Sequence, residues 1–367
     1  MSTLNVAVIG VGLVGKEFLN QLAFVGASDL SSRRIRLIYA SNSKRALRED
    51  SKGLDPASCS QRLADGEGEE VALAELPRLL ESTIVDRHRT VIVDNTSSDY
   101  VASLYPAFLQ KGFDVITPNK KAFSSSLKLY NDIIFASRFK EGGKYLNEST
   151  VGAGLPIIAT LRDLVASGDE VIKIEGVLSG TLSYIFNEYS TPLGEGPSFS
   201  SIVAQAREKG YTEPHPGDDL NGADVARKLT ILSRMIPSLR SHLPEGYKSV
   251  SITSLVPDAL ASVTSGDEFV ARLPEYDAEF EKLREEAKKE GKVLRYVGVI
   301  DVQAKVVKAA LEKYPANHAF ATSLQGSDNI IAFHTKRYSP RPMIVQGAGA
   351  GAAVTAMGIM SDLLKLL

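Results

Sequence analysis

Val6-Ala-Val-Ile-Gly10-Val-Gly12-Leu-Val-Gly15 opens the chain with a short apolar strand, three glycines at G-x-G-x-x-G spacing and the start of a helix. Helical periodicity continues from Leu13 to Val25 through Val14, Phe18, Leu22 and Phe24. In this setting each glycine has a task. Gly10 permits the tight turn, Gly12 lets the backbone approach a pyrophosphate, and Gly15 allows close packing of helix on strand. The helix N-terminus then attracts phosphate through its unpaired N–H groups. The expectation is a dinucleotide site at the head of a βαβ unit.

Working outward, Ile35-Arg-Leu-Ile-Tyr-Ala40 reads as the next strand. Val91-Ile-Val93, a helix over about Asp99 to Lys111, and Asp114-Val-Ile-Thr117 repeat the unit. Strands alternating with helices argue for an α/β fold with a doubly wound parallel sheet. Asp55 to Glu70 is polar and Gly-rich and is expected to be a surface loop. After about Thr150 the character changes. Glu170–Leu178 and Leu294–Asp301 alternate as half-buried strands do, with charged helical segments such as Asp277 to Lys289 between them. This predicts an α+β second domain. Near the C-terminus, Pro342–Gln346 leads into Gly347-Ala-Gly-Ala-Gly351 and an apolar helix, a tail expected to return to the first domain. The expected division is 1–150 completed by 341–367, and 151–340.

The 367 residues are 44% hydrophobic and 23% charged, with a formal net charge of -2. Such a chain can bury a large core, and its charge gives no reason to expect nucleic acid or an anionic membrane as partner. Cys59 is the only cysteine, which excludes an intrachain disulfide and suits a reducing compartment. Met1-Ser-Thr-Leu-Asn5 runs directly into a strand without signal-peptide features, and no apolar run reaches the ~18 to 20 residues of a membrane span. A cytoplasmic enzyme with a small-molecule substrate is expected. His88, His215, His242, His318 and His334 are scattered without ligand spacing, against a zinc or iron site.

The second strand runs on into Tyr39-Ala-Ser-Asn-Ser-Lys-Arg45, with no acid where an NAD-selective site places one against the ribose. Lys44 and Arg45 suit a 2′-phosphate, which favours NADP; a solvated basic turn has the same composition. Asp94-Asn-Thr-Ser-Ser98 and Thr117-Pro-Asn-Lys-Lys121 occupy successive strand ends, where open α/β sheets bind ligands.

A third feature is the stretch from Tyr211 to Lys228. It places Glu213, Asp218, Asp219, Asp224 and Lys228 in one Pro-rich loop and one helix start. Asp224 and Lys228 share a helix face, although Arg227 competes for the same carboxylate and an i, i+4 pair by itself more often means a surface ion pair. Asp218 reads equally as a helix N-cap.

Taken in order, the fingerprint, Asp94-Asn-Thr-Ser, Thr117-Pro-Asn-Lys-Lys-Ala, Glu148-Ser-Thr-Val-Gly-Ala-Gly-Leu-Pro156, Ser179-Gly-Thr-Leu-Ser-Tyr-Ile185, Gly210-Tyr-Thr-Glu-Pro, Asp218–Lys228 and Gly347–Gly351 resemble homoserine dehydrogenases. The resemblance is closest to the short, monofunctional fungal form, since no aspartokinase segment precedes it and no regulatory domain follows. Leu47 to Arg89 and Pro237 to Lys289 carry no matching motif. His215 departs from the pattern, which reads Glu-Pro-Asp-Pro, and a change in loop electrostatics is expected there.

The resemblance implies a Rossmann-like domain and a substrate and dimerisation domain, in an enzyme that interconverts L-homoserine and L-aspartate 4-semialdehyde with NAD or NADP. It implies Lys228 as proton donor with Asp224 orienting it. Glu213 and Asp219 would meet the substrate ammonium, with Tyr211, Gly180, Thr181 and Lys120 around the substrate. Gly10, Gly12, Leu13, Val14, Gly15, Arg45, Thr96, Ser97, Lys120 and Gly351 would contact the cofactor. A monovalent cation, Na or K, would take Glu148 and the carbonyls of Val151, Ala153 and Leu155; a glycine hinge between domains is compatible with the same stretch. A homodimer is also implied. Two alternatives are an aspartate-semialdehyde dehydrogenase, which requires a nucleophilic cysteine, and a non-catalytic nucleotide sensor on the same fold.

Overall fold

The computed structural model describes residues 3–26, 34–49, 51–83, 88–193 and 196–367. Two compact units divide the chain, Met1–Ile158 with Gly351–Leu367, and Ala159–Ala350.

In the first unit, strands β1 (Thr3–Ile9), β2 (Arg34–Ser41), β3 (Arg45–Arg48), β4 (Glu69–Glu70), β5 (His88–Asp94), β6 (Asp114–Ile116) and β7 (Tyr145–Leu146) form one sheet in the order β4-β3-β2-β1-β5-β6-β7. The pairs from β2 across to β7 are parallel, and β3 and β4 add an antiparallel edge. β1 is central and buried on both faces, which is why it reads as an unbroken apolar run. Phe18, Leu19, Leu22 and Val25 of the Leu13–Gly26 helix join its core, with Ala356, Ile359, Met360 and Leu363 of the Ala352–Leu364 helix.

Three local readings are corrected here. Asp55 to Glu70 is not a surface loop. Asp55 accepts a hydrogen bond from the Ala57 N–H and Pro56 takes the first helical position, so Pro56–Ala64 is a nine-residue helix that turns Cys59 and Leu63 inward. The helix expected over Asp99 to Lys111 is two, Asp99–Ser103 and Tyr105–Gln110, with Pro106 at the start of the second. The boundary near the C-terminus falls at Gly351 and not at residue 341, because Met343–Ala348 pairs within the second unit's sheet.

That sheet contains β8 (Val171–Val177), β9 (Ser251–Ile252), β10 (Lys292–Asp301), β11 (Val306–Pro315), β12 (Asp328–Thr335) and β13 (Met343–Ala348) in the order β13-β12-β8-β10-β11-β9. Its pairs are antiparallel except β9 with β11. The helices Gly180–Tyr189 and Ala223–Met235 both pack on β10. Close approach is possible because Gly298 leaves room: a Cβ there would lie 2.7 Å from a Leu229 methyl and 3.1 Å from a Leu178 methyl. The packing brings the end of β8 beside Lys228.

Candidate active site

The nucleotide half lies at the carboxyl ends of β1, β2, β5 and β6. Gly10 has φ +92°, and its N–H and that of Val11 both donate to the Ser41 carbonyl at 2.8 Å, which fixes the turn against the end of β2. A Cβ at Gly15 would lie 2.2 Å from the Gly10 carbonyl oxygen, whereas one at Gly12 would meet nothing within 4 Å. Gly10 thus makes a turn, Gly15 a close approach, and the space beside Gly12 is open. Leu13 is 81% exposed at the start of the fourteen-residue helix, and Val14 is partly buried. This cradle fits a pyrophosphate.

Asn42 orders the end of β2. Its Oδ1 accepts from the N–H groups of Lys44 and Arg45, both at 2.8 Å, so Ser43, Lys44 and Arg45 form a defined exposed turn. Arg45 starts β3, and its guanidinium reaches the Gly68 carbonyl at 3.4 Å.

Asp94 organises the loops that follow β5 and β6, a role not read from the sequence. It is fully buried and accepts from Tyr105 Oη, from the Thr96 N–H at 2.8 Å and from Asn119 Nδ2 at 3.1 Å. Burial raises its carboxyl pKa against the pull of these bonds. Thr117 Oγ1 donates to the Asp94 carbonyl, and Asn119 Nδ2 reaches the Ser98 carbonyl. One network thus sets Thr96 and exposed Ser97 on one loop and Lys120 on the other. Gly351, φ +111°, stands at the N-terminus of the Ala352–Leu364 helix.

Glu148, Val151, Ala153 and Leu155 lie on one turn. Gly152 and Ala153 have φ +75° and +53°, and a left-handed alanine persists only where its surroundings determine it. Glu148 is buried; its Oε1 accepts from the Ile158 N–H at 2.7 Å and its Oε2 lies 3.7 Å from Lys365 Nζ.

Of the residues expected around the substrate, Gly180, Thr181, Tyr211, Glu213 and Asp219 lie in the second unit. Thr181, 8% exposed near the start of the Gly180–Tyr189 helix, shares its hydroxyl between the Tyr211 carbonyl at 2.6 Å and Asp219 Oδ1 at 2.8 Å. Asp219 Oδ2 accepts from the Glu213 N–H at 2.8 Å, while the Glu213 residue itself is exposed. Burial pushes the Asp219 carboxyl up, the bonds from Glu213 and Thr181 pull it down, and the Glu213 and Asp224 carboxylates push it further up. A carboxylate in such company is stabilised by an arriving cation. Gly180 sits where a Cβ would lie 3.1 Å from the Ser327 carbonyl oxygen. Tyr211 is exposed, its ring edge-on to Tyr184. Asp218 is exposed within Gly217–Leu220, a short helix whose N-cap is Pro216, so the capping alternative does not hold.

Lys228 is buried on the next helix. Its Nζ donates to the Leu178 carbonyl at 2.6 Å and pairs with Asp224 Oδ2 at 2.8 Å. Arg227 stacks on the Tyr247 ring, 3.7 Å from its centroid. Asn329, also buried, donates to the same Leu178 carbonyl at 3.2 Å. Neither Leu178 nor Asn329 belongs to any sequence reading of the site. Cys59 is buried away from a polar loop setting, and burial pushes its thiol up to about 11, unsuited to a nucleophile.

A glycine-turned parallel sheet in one unit and a buried lysine–carboxylate pair in the other are the parts of a dinucleotide-dependent oxidoreductase. Residues 10–146 match the family model for the homoserine dehydrogenase NAD binding domain, and residues 156–364 match that for homoserine dehydrogenase. The chain belongs to the homoserine dehydrogenase family.

It is 46% identical to homoserine dehydrogenase of Schizosaccharomyces pombe, over all of this chain and 96% of that protein. It is 45% identical to that of Saccharomyces cerevisiae, over all of this chain and 99% of that one. Among solved structures, a Candida auris protein described as of unknown function is 44% identical with a TM-score of 0.91, covering 100% of this chain and 98% of that one. A hyperthermophilic archaeal homoserine dehydrogenase in complex with NADPH has a TM-score of 0.70 at 19% identity, over 99% and 97% of the chains, a likeness of fold. Among the described residues no helix is long and apolar enough to cross a membrane.

Proposed function

We propose that the protein interconverts L-homoserine and L-aspartate 4-semialdehyde in threonine, methionine and isoleucine biosynthesis, with Lys228 as acid and base. The observation that carries this reading is Lys228, buried between the Asp224 carboxylate and the Leu178 carbonyl. A bound reduced nicotinamide supplies hydride to the aldehyde carbon. As that carbon is reduced, negative charge grows on the aldehyde oxygen, and the Lys228 ammonium stabilises it and donates the proton that completes the alcohol. In the reverse direction neutral Lys228 takes the hydroxyl proton. Asp224 orients the amine.

Asp219 and Glu213 receive the substrate ammonium, whose charge offsets the desolvation and like-charge repulsion on Asp219. Thr181, Tyr211 and Gly180 shape that pocket, and Lys120 serves substrate and cofactor. Gly10, Gly12, Leu13, Val14, Gly15, Thr96, Ser97 and Gly351 hold the dinucleotide. Lys44 and Arg45 on the Asn42-ordered turn favour NADP through its 2′-phosphate. Glu148 and the carbonyls of Val151, Ala153 and Leu155 hold sodium or potassium, and the enzyme works as a cytoplasmic homodimer.

The test is NAD(P)-dependent oxidation of L-homoserine by the purified protein, beside Lys228→Ala. Turnover lost in the variant with cofactor binding retained is the expected result. A wild-type protein that binds cofactor and turns over neither homoserine nor the semialdehyde would overturn the reading.

A further inference from the structure

We propose that His215 is a positioning residue for substrate, clamping the middle of the loop that carries Glu213 and Asp219; the inference rests on the ammonium-binding role given to those acids. His215 Nδ1 lies 3.1 Å from the Gly217 N, and Nε2 lies 2.9 Å from the Val263 oxygen. A main-chain N–H only donates and a carbonyl only accepts. Nδ1 is therefore the acceptor, and the ring's proton sits on Nε2, donated to Val263. The first bond is internal to the loop. The second ties the loop to a segment 48 residues away.

That segment is built to be an anchor. The Val263 N–H donates to the Leu260 carbonyl at 3.1 Å, and Leu260 is 1% exposed. The His215 ring lies 5.0 Å from that of fully buried Phe269. A Cβ at Gly266 would stand 2.4 Å from the Pro214 carbonyl oxygen, so the two backbones touch. Asp267 pairs with Arg207 at 2.7 Å, which joins the segment to the Phe199–Glu208 helix leading into Tyr211.

The loop is thus held at three points. Thr181 holds its two ends, at the Tyr211 carbonyl and at Asp219, and His215 holds its middle. Pro214 and Pro216 flank the histidine and restrict the backbone on either side. Glu213, two residues away, bonds within the loop, through its N–H to Asp219 Oδ2 and through its carbonyl to Thr212 Oγ1. Releasing the middle point therefore lets this part of the loop drift from the position at which Glu213 meets an ammonium. The chemistry at Lys228, on a different helix, is untouched. Loss of the clamp should therefore weaken substrate binding with little change in turnover.

The experiment compares His215→Gln, His215→Asn and His215→Ala in the full chain. Glutamine can bring its amide nitrogen to the place of Nε2 and donate to Val263. Asparagine can accept from the Gly217 N–H but is too short for the bridge. The expected result is a KM for homoserine raised about three- to tenfold in the Asn and Ala variants, with kcat within about twofold and the KM for the oxidised cofactor, NADP+, unchanged. The Gln variant should restore the wild-type KM.

Amide hydrogen exchange across residues 212–219 should be faster in the Asn and Ala variants and normal in the Gln variant. This readout needs no turnover, so it tests the clamp even if the substrate assignment fails. Wild-type KM and exchange in the Asn variant would overturn the proposal. So would a parallel fall of kcat and thermal stability in all three variants, which would make His215 a folding residue only.

Discussion

Lys228 Nζ donates to the Leu178 carbonyl across 2.6 Å, joining the Ala223–Met235 helix to the end of β8. With Asp224 Oδ2 at 2.8 Å, the amine is held on two sides in a buried place. Lys228→Ala should lower kcat by about a hundredfold or more in both directions, the scale of a lost general acid. Lys228→Arg should recover little, because a planar guanidinium cannot occupy the position of a compact ammonium. Steady-state kinetics beside cofactor titration check this; a kcat within about tenfold of wild type in the alanine variant would remove Lys228 from the proton step.

Gly222 fixes where that helix begins. Its φ is +75°, and a Cβ would lie 2.1 Å from Tyr296 Oη, which is engaged with the Thr253 carbonyl at 2.9 Å. Strain and collision act together, so Gly222→Ala should lower unfolding free energy by roughly 2 to 4 kcal/mol. Tyr296→Phe with Gly222→Ala should recover part of the loss, since the colliding oxygen is removed. Denaturant titration of both single variants and the double variant measures it, and additive losses would contradict the collision.

The legible and illegible parts of the chain differ in how locally their causes lie. Gly15 packs on the Gly10 carbonyl five residues earlier, so its task follows from spacing. Asp224 and Lys228 meet because a helix repeats. By contrast, the Leu178 carbonyl and Asn329 reach Lys228 through sheet pairing, and a main-chain oxygen has no residue signature. Met343–Ala348 alternates in exposure as an edge strand does, yet nothing local to it names β12 as the partner. The Pro56–Ala64 helix was readable from the Asp55-Pro56 start; its polar surface masked an inward face made of Cys59 and Leu63.

Cys59 supplies a separate test of reaction class. Buried in that helix, it donates to the Asp55 carbonyl at 3.3 Å, and burial pushes its thiol up to about 11. At pH 8 the thiolate is scarce and the sulfur unreachable, so a disulfide reagent should label the native protein far more slowly than the denatured one. Cys59→Ser should keep kcat within about twofold, because hydride transfer with a lysine donor uses no thiol. Abolished activity in a folded serine variant would instead favour an acyl-enzyme mechanism.

Glu175 makes stability depend on acid pH. Its buried carboxylate would be driven up by desolvation, but His334 Nε2 at 3.0 Å, Lys173 Nζ at 2.8 Å and Tyr314 Oη at 3.0 Å outweigh this and bring it to about 2. An unfolded glutamate titrates near ~4.3, so the folded group is the stronger acid and its stabilisation is full above that value. It is lost as pH falls toward about 2, and its full size is at most roughly 3 kcal/mol. Glu175→Gln should therefore cost stability at pH 7 and cost much less near pH 2.5. Denaturant titrations of both proteins at the two pH values decide it: a wild-type advantage that does not shrink in acid would mean that it does not come from the ionised carboxylate.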